Sequence, residues 1–309
     1  MPREHAHCQA HPRDRHTIGH VSSTEGAGRP RTSHAHAVAV VIPAHNVGRD
    51  IASTVRSCRA IPGVDLIIVV DDGSSDDTAR AARAGGAVVV SHTVERGRSS
   101  AMETGVKVAA MRDALEAPLR HILFLSADLG ESAVEASALV SAVDAGIADC
   151  AVGVLPDAQN RSRESGAVNL ARTAIRRATG WEPVNPLAQE RCLTREALNA
   201  AMPFSGGFGL EAGLTIDILA AGLSVVELPC AFVHLGSDPR RGDLHRSSRY
   251  ADTAVTSLRK LLARKGLRAP DRPTKTVSTG VGDPYPRPAF ERAASLAVAE
   301  GDEGDLAGR

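Results

Sequence analysis

The chain has 309 residues, 43% of them hydrophobic, and 36 basic side chains balance 36 acidic ones for a formal net charge of zero. That balance gives no electrostatic reason to expect a nucleic acid or an anionic membrane as partner, and no apolar run approaches the ~20 residues a membrane helix needs. With no signal-peptide core at the start and five scattered cysteines (Cys8, Cys58, Cys150, Cys192, Cys230) lacking any C-x-x-C pair, the expectation is a cytoplasmic protein with reduced thiols and no transmembrane segment. Oligomeric state is not legible, and a homodimer stays open.

Residues 1–36 hold seven of the twelve histidines, with Pro, Arg, Ser and Gly and almost no large apolar residue. Such a stretch buries too little surface to offset its ordering entropy, so a disordered arm is expected. Imidazoles bind divalent metals, which leaves metal capture as a second reading of the arm. From about Arg268 the composition turns Pro-, Gly- and charge-rich again. The division expected is therefore an arm at 1–36, one domain at 37–265 and a largely disordered tail at 266–309. A single loose helix at 289–300 is all the tail suggests.

In the middle, apolar strands alternate with amphipathic helices. AVAVVIP (37–43) is a β-branched run stopped by Pro43, as for a strand buried on both faces. Residues 48–60 follow as a helix, with Ile51, Val55 and Cys58 on one side. Then come a strand running into a turn at 65–75, a helix at 75–84, a strand at 87–92, a long helix at 98–115 and a strand at 121–128 ending in Asp128. Strands separated by helices of this length imply parallel βαβ units with right-handed crossovers. Ligands of such sheets sit beyond the carboxyl ends of the strands. There the polar residues gather: Pro43-Ala44-His45-Asn46, Asp71-Asp72-Gly73-Ser74 and Ser126-Ala127-Asp128. Each loop alone could be a turn or a helix cap; three in phase make a site.

These segments, VVIPAHNVGRDIASTV, IIVVDDGSSDDTARAA and ILFLSADL, resemble the start of a family 2 glycosyltransferase. The resemblance covers roughly residues 37–262 and implies a GT-A fold, a Rossmann-like three-layer α/β arrangement with a mainly parallel central sheet. In the second half, NPLAQERCLTREAL (185–198), PFSGGFGLEAGLTIDIL (203–219) and FVH (232–234) are similar to glucosyl-3-phosphoglycerate synthase-like transferases. The activity implied is transfer of a hexose from a nucleoside-diphosphate sugar to a small or lipid-linked acceptor of unknown identity. Pro43, Ala44, Asn46, Asp71 and Asp72 are then expected around the nucleoside, fixing its polar edges as a small-ligand site requires. Arg98 stands where relatives carry a lysine near phosphate and keeps the charge in a forked form.

The leaving diphosphate calls for a cation, because charge builds on its oxygens in the transition state. The resemblance assigns a divalent metal, Mg²⁺ or Mn²⁺, to Asp128 and His234. Ser126 occupies the place of the first acid of the strand-end motif. Mg²⁺ often takes only one or two carboxylates, so that loss is expected to leave the metal in place, and Ser126→Asp to keep or raise its affinity. Glu190 is the candidate sugar contact, and Glu190 or Glu211 would supply a base if the enzyme inverts the anomeric centre. Resemblance to the synthases favours retention; both remain open here. The basic run at 236–249 could serve as a lid. Two rivals stand beside this reading: a nucleotidyltransferase, whose glycine-rich phosphate loop is missing from PAHNVGRD, and an inactive sugar-nucleotide binder, for which Ser126 is the evidence.

Overall fold

A computed structural model describes residues 36–113, 118–156, 166–235, 255–256 and 277–286. Its centre is a seven-stranded sheet of β1 (Val38–Ala44), β2 (Val64–Asp71), β3 (Val88–Ser91), β4 (His121–Phe124), β5 (Cys150–Val154), β6 (Arg191–Leu193) and β7 (Val225–Pro229). In space the order is β3-β2-β1-β4-β6-β5-β7. Every pairing is parallel except those of β6, which runs antiparallel to both β4 and β5.

The continuous apolar run of β1 is explained by its place between two strands and two helical layers. Ala39 and Val41 pack into one cluster, with Met102 and Val106 of α3 (Arg98–Ala110), Ile175 of α5 (Gly166–Thr179), Leu198 of α6 (Arg195–Ala201) and Leu214 of α7 (Leu210–Ala220). Val38, Val40 and Ile42 point the other way, towards Ile51 and Val55 of α1 (Ile51–Cys58), Ala82 of α2 (Thr78–Gly85) and Leu139 of α4 (Ser137–Asp144). Side chains of a strand alternate between faces, so one strand feeds both cores. The result is the expected three-layer α/β fold.

Several boundaries differ from the expected ones, each for a local reason. Helix α1 begins at Ile51, not 48, because the amides of Val47 and Gly48 donate to Thr78 Oγ1 at 2.9 Å and Asp76 Oδ2 at 3.0 Å. Strand β4 stops at Phe124, four residues before Asp128; the chain then leaves the sheet in a turn. Thr54 of α1 holds that turn, donating to the Ala127 carbonyl at 2.8 Å and accepting from the Gly130 amide at 2.9 Å.

The edges of the domain also move. His36, placed in the arm, lies against His121 with ring centroids 4.5 Å apart. Residues 277–286, expected in the disordered tail, fold onto the sheet instead. Val277 bridges Trp181 and Tyr285 bridges Val225, Trp181 donates to Thr279 Oγ1 at 2.8 Å, and the Trp181 and Tyr285 rings stack with centroids 6.0 Å apart. This covers part of the edge of β7, which would otherwise offer unpaired backbone groups. The suggested helix at 289–300 and the basic run at 236–249 lie outside the described residues. Among the described residues no helix is long and apolar enough to cross a membrane.

Candidate active site

The first three strands end in loops that hold one another. Asn46, at a left-handed φ of 53°, accepts from the Ser75 amide at 2.9 Å and its own amide donates to Ser74 Oγ at 2.9 Å. Asp71 Oδ1 accepts from the Ser74 amide at 3.1 Å. The Asp72 carboxylate is occupied more fully: one oxygen takes the Arg96 amide at 2.9 Å and contacts His92 Nδ1 at 2.6 Å, and the other takes the Gly97 amide at 2.7 Å. Two glycines permit this. Gly97 sits at φ 89°, and a Cβ on Gly73 (φ 72°) would stand 2.7 Å from the backbone of Val94 and Glu95, a close approach that only glycine allows.

A second group lies where β4, β5, β6 and β7 end or begin. Asp128 Oδ1 and His234 Nδ1 are 3.1 Å apart, and His234 Nε2 is 4.0 Å from Glu190 Oε1. Ser126 Oγ donates to Glu190 Oε1 at 2.6 Å and lies 3.1 Å from Gln189 Oε1. Glu190 reaches this edge because β6 is reversed: it precedes the strand, so it sits beside the carboxyl ends of its neighbours. The hydrogen bond with Asp128 raises the His234 pKa above the usual imidazole range, burial opposes the rise, and Glu190 adds to it. Arg98 pairs with Glu211. Behind them Arg191 is wholly buried, and burial draws its pKa down while Glu211 and Glu190 oppose the fall.

A cavity of about 450 Å³ opens over this group. Of the residues singled out from the sequence, Pro43, His45, Arg98, Ser126, Asp128, Glu190 and His234 line it. Ala44, Asn46, Asp71, Asp72 and Glu211 do not, and Asp72 and Asn46 hold the loops with their side chains. Sequence reasoning passed over Asn185, Gln189 and Phe232, which also line the cavity. The Asn185–Glu190 stretch carried a signal, since Asn and Gln beside an acid are polar side chains a strand start has no need of. Glu227 positions that stretch: its carboxylate accepts the amides of Val184 and Asn185, each at 2.7 Å.

The donor set fits a hard divalent cation. Two cis ligands of an octahedral ion with bonds of ~2.1 Å stand about 3 Å apart, the separation of Asp128 Oδ1 and His234 Nδ1. Serine 126 is not an empty place in this motif either. Its hydroxyl is a donor to Glu190, which an ionised aspartate could not be.

Comparisons with known proteins place the fold in a family. A sequence search of curated proteins returns no match. Among solved structures, glucosyl-3-phosphoglycerate synthase from Mycobacterium tuberculosis in complex with phosphoglyceric acid is similar at 25% identity and a TM-score of 0.57, covering 73% of this chain and 80% of that one. The same enzyme with Mn²⁺, uridine diphosphate and glucosyl-3-phosphoglycerate matches at 26% identity and a TM-score of 0.56, over 76% and 81% of the two chains. With Mn²⁺, uridine-diphosphate-glucose and glycerol 3-phosphate it matches at 26% and 0.56, over 76% and 82%. The model of glycosyl transferase family 2 matches residues 39–207. With that match spanning the β1–β6 core and the acids at its edge, the chain belongs to glycosyl transferase family 2 and is a glycosyltransferase.

Proposed function

We propose that the enzyme transfers a hexose from a uridine-diphosphate sugar to a small anionic acceptor of the phosphoglycerate kind, with a divalent cation held by Asp128 and His234. The observation that carries this reading is the 3.1 Å pair of Asp128 and His234 on the wall of the cavity that Arg98 and Glu190 also line. The solved relatives bind Mn²⁺ or Mg²⁺, uridine diphosphate or its glucose conjugate, and small phosphorylated acceptors. The cation, once bound, neutralises charge on the departing diphosphate.

This chain's own residues do the rest. Arg98 faces the cavity from the start of α3 and places a guanidinium where phosphate oxygens gather charge; Glu211 fixes its orientation. In the step itself an acceptor hydroxyl oxygen bonds to the anomeric carbon, the bond from that carbon to the phosphate oxygen breaks, and nucleoside diphosphate leaves. Glu190, held by Ser126, faces the sugar. In the retaining course the acceptor's proton passes to the leaving phosphate, which suits a site where Glu211 is engaged by Arg98 and Glu190 by Ser126. Pro43 and His45 border the nucleoside side, with the Asp71 and Asp72 loops as their foundation. Buried thiols at Cys58, Cys150, Cys192 and Cys230 suit a reducing cytoplasm.

The inactive-binder reading loses its support once Ser126 is seen to hold Glu190. A screen of UDP-, GDP- and ADP-sugars with Mn²⁺ or Mg²⁺, with and without 3-phosphoglycerate, tests the proposal. UDP-glucose turnover that needs the metal and rises with the acceptor is expected. Nucleotide binding with no turnover for any donor would restore the inactive binder.

A further inference from the structure

At the far end of the sheet, away from the cavity, three chemistry-bearing side chains meet. His36 precedes β1, His121 opens β4, and Asp144 closes α4. One ligand atom from each lies within 4.8 Å of the others. His121 is 6% exposed. Among the described residues, neither His121 Nε2 nor His36 Nδ1, both shielded from solvent, has a hydrogen-bond partner. A buried polar atom left without a hydrogen bond loses its hydration and gains nothing in return, and His36 Nδ1 stands 3.7 Å from Asp144 Oδ1, an ion-pair distance. We infer that His36, His121 and Asp144 form a second cation site, for Zn²⁺ or a similarly borderline divalent ion, at the amino edge of the sheet.

The donor set is of the right chemistry. Two imidazoles and one carboxylate are ordinary zinc ligands, with solvent in the fourth place. Bonds of ~2.0–2.1 Å put tetrahedral ligands about 3.3 Å apart, so the three atoms, all within 4.8 Å of one another, must draw in by no more than about an ångström and a half. His36 is able to swing, since its side chain is 39% exposed, and with Asp144 at 13% it also leaves a route from solvent. The C-terminal end of α4 directs its partial negative charge at the same point, which favours a cation. Arg195 is a nearby charge that opposes a cation, and Asp113 accepts from it at 2.6 Å. From His121 to Asp128 the chain runs seven residues, ~20 Å if extended, so this site stands apart from the proposed active-site metal and does not depend on it. An ion here would tie together the entry to β1, the start of β4 and the end of α4.

Thermal unfolding of the full chain, stripped with chelator and then given Zn²⁺, tests the inference. Binding to the folded form alone raises the melting temperature, whereas histidines of the first 34 residues bind in the unfolded chain as well and contribute little to the shift. At Zn²⁺ a hundredfold above Kd, wild type should gain about 5 °C or more. Asp144→Asn, which keeps an acceptor for the His36 amide, and His121→Gln should each lose the gain, while Asp128→Asn should keep it. Co²⁺ in place of Zn²⁺ should give the visible absorption of a four-coordinate site in wild type and less of it in Asp144→Asn. No Zn²⁺-induced shift in wild type, or a shift that survives in both cluster variants, overturns the site.

Discussion

Two sets of carboxylates share one edge of the sheet and are held in opposite ways. In the first half of the domain, Asp71, Asp72 and Asp76 receive mainly backbone amides: Ser74 for Asp71, Arg96 and Gly97 for Asp72, Gly48 and Thr78 for Asp76. In the second half, Asp128, Glu190 and Glu211 meet side chains: His234, Ser126 and Arg98. A backbone partner cannot leave without unfolding its loop, whereas a side-chain partner needs only a rotation. The first set is therefore fixed in place by its loops, and the second is able to rotate away from its present partners.

The sharpest way to break this contrast is Asp128→Asn, which keeps the shape and removes the charge. Turnover should fall by ~10²–10³-fold, the usual cost of losing one electrostatic element of a transition-state site, with the melting temperature nearly unchanged. Asp72→Asn should do the reverse. An amide cannot serve all the donors that now meet both oxygens, and the loss should come to about 2–4 kcal/mol of stability, read as a melting point lowered by roughly 5–10 °C. Full activity with unchanged stability in Asp72→Asn would remove the scaffold reading.

The next effect is a pH slope. The His234 pKa is raised through its bond to Asp128, so in the metal-free protein its proton adds stability that is present below the ordinary imidazole pKa of ~6.5 and fades as pH rises through the higher folded value. A metal must displace that proton. Mn²⁺ affinity, measured by titration calorimetry, should fall about tenfold per pH unit below the raised pKa; a flat profile from pH 5 to 8 would take His234 out of the ligand set.

The smallest effect sharpens the role of serine 126. Sequence reasoning expects Ser126→Asp to keep or raise metal affinity, but the structure sets a new carboxylate against Glu190, where the hydroxyl now donates at 2.6 Å. Turnover should drop several-fold in Ser126→Asp and by about tenfold or less in Ser126→Ala, as one donor to a buried acid is worth ~1 kcal/mol or somewhat more. Ser126→Asp turning over faster than wild type would show that the serine is only a tolerated loss.

The central sheet was legible because burial on two faces writes itself as unbroken apolar runs: each of Val38 to Ile42 is fully buried. The row of loops was legible because polar residues cluster where those runs stop. Strand β6 was not, being three residues long and opening on the buried Arg191, so it has neither a run nor an alternation to read. The pairing of Arg98 with Glu211 spans 113 positions, and that of Trp181 with Tyr285 rests on ring geometry; neither leaves a local pattern. For Asp72 a sequence displays the acid but not the amides of Arg96 and Gly97 that meet it.

The reversed direction of β6 has a mechanical consequence. Glu190 lies one residue ahead of a strand that is zipped on both sides, Arg191 facing Phe124 in β4 and Val152 in β5, and its own carbonyl accepts from the Gly153 amide at 2.9 Å. Whatever occupies the cavity and grips Glu190 thus pulls directly on the seam that joins the two halves of the sheet. Ligand binding should accordingly slow hydrogen exchange at the amides of Cys192 and Leu193, buried residues that do not line the cavity, and make the middle of the sheet a gauge of what the site holds.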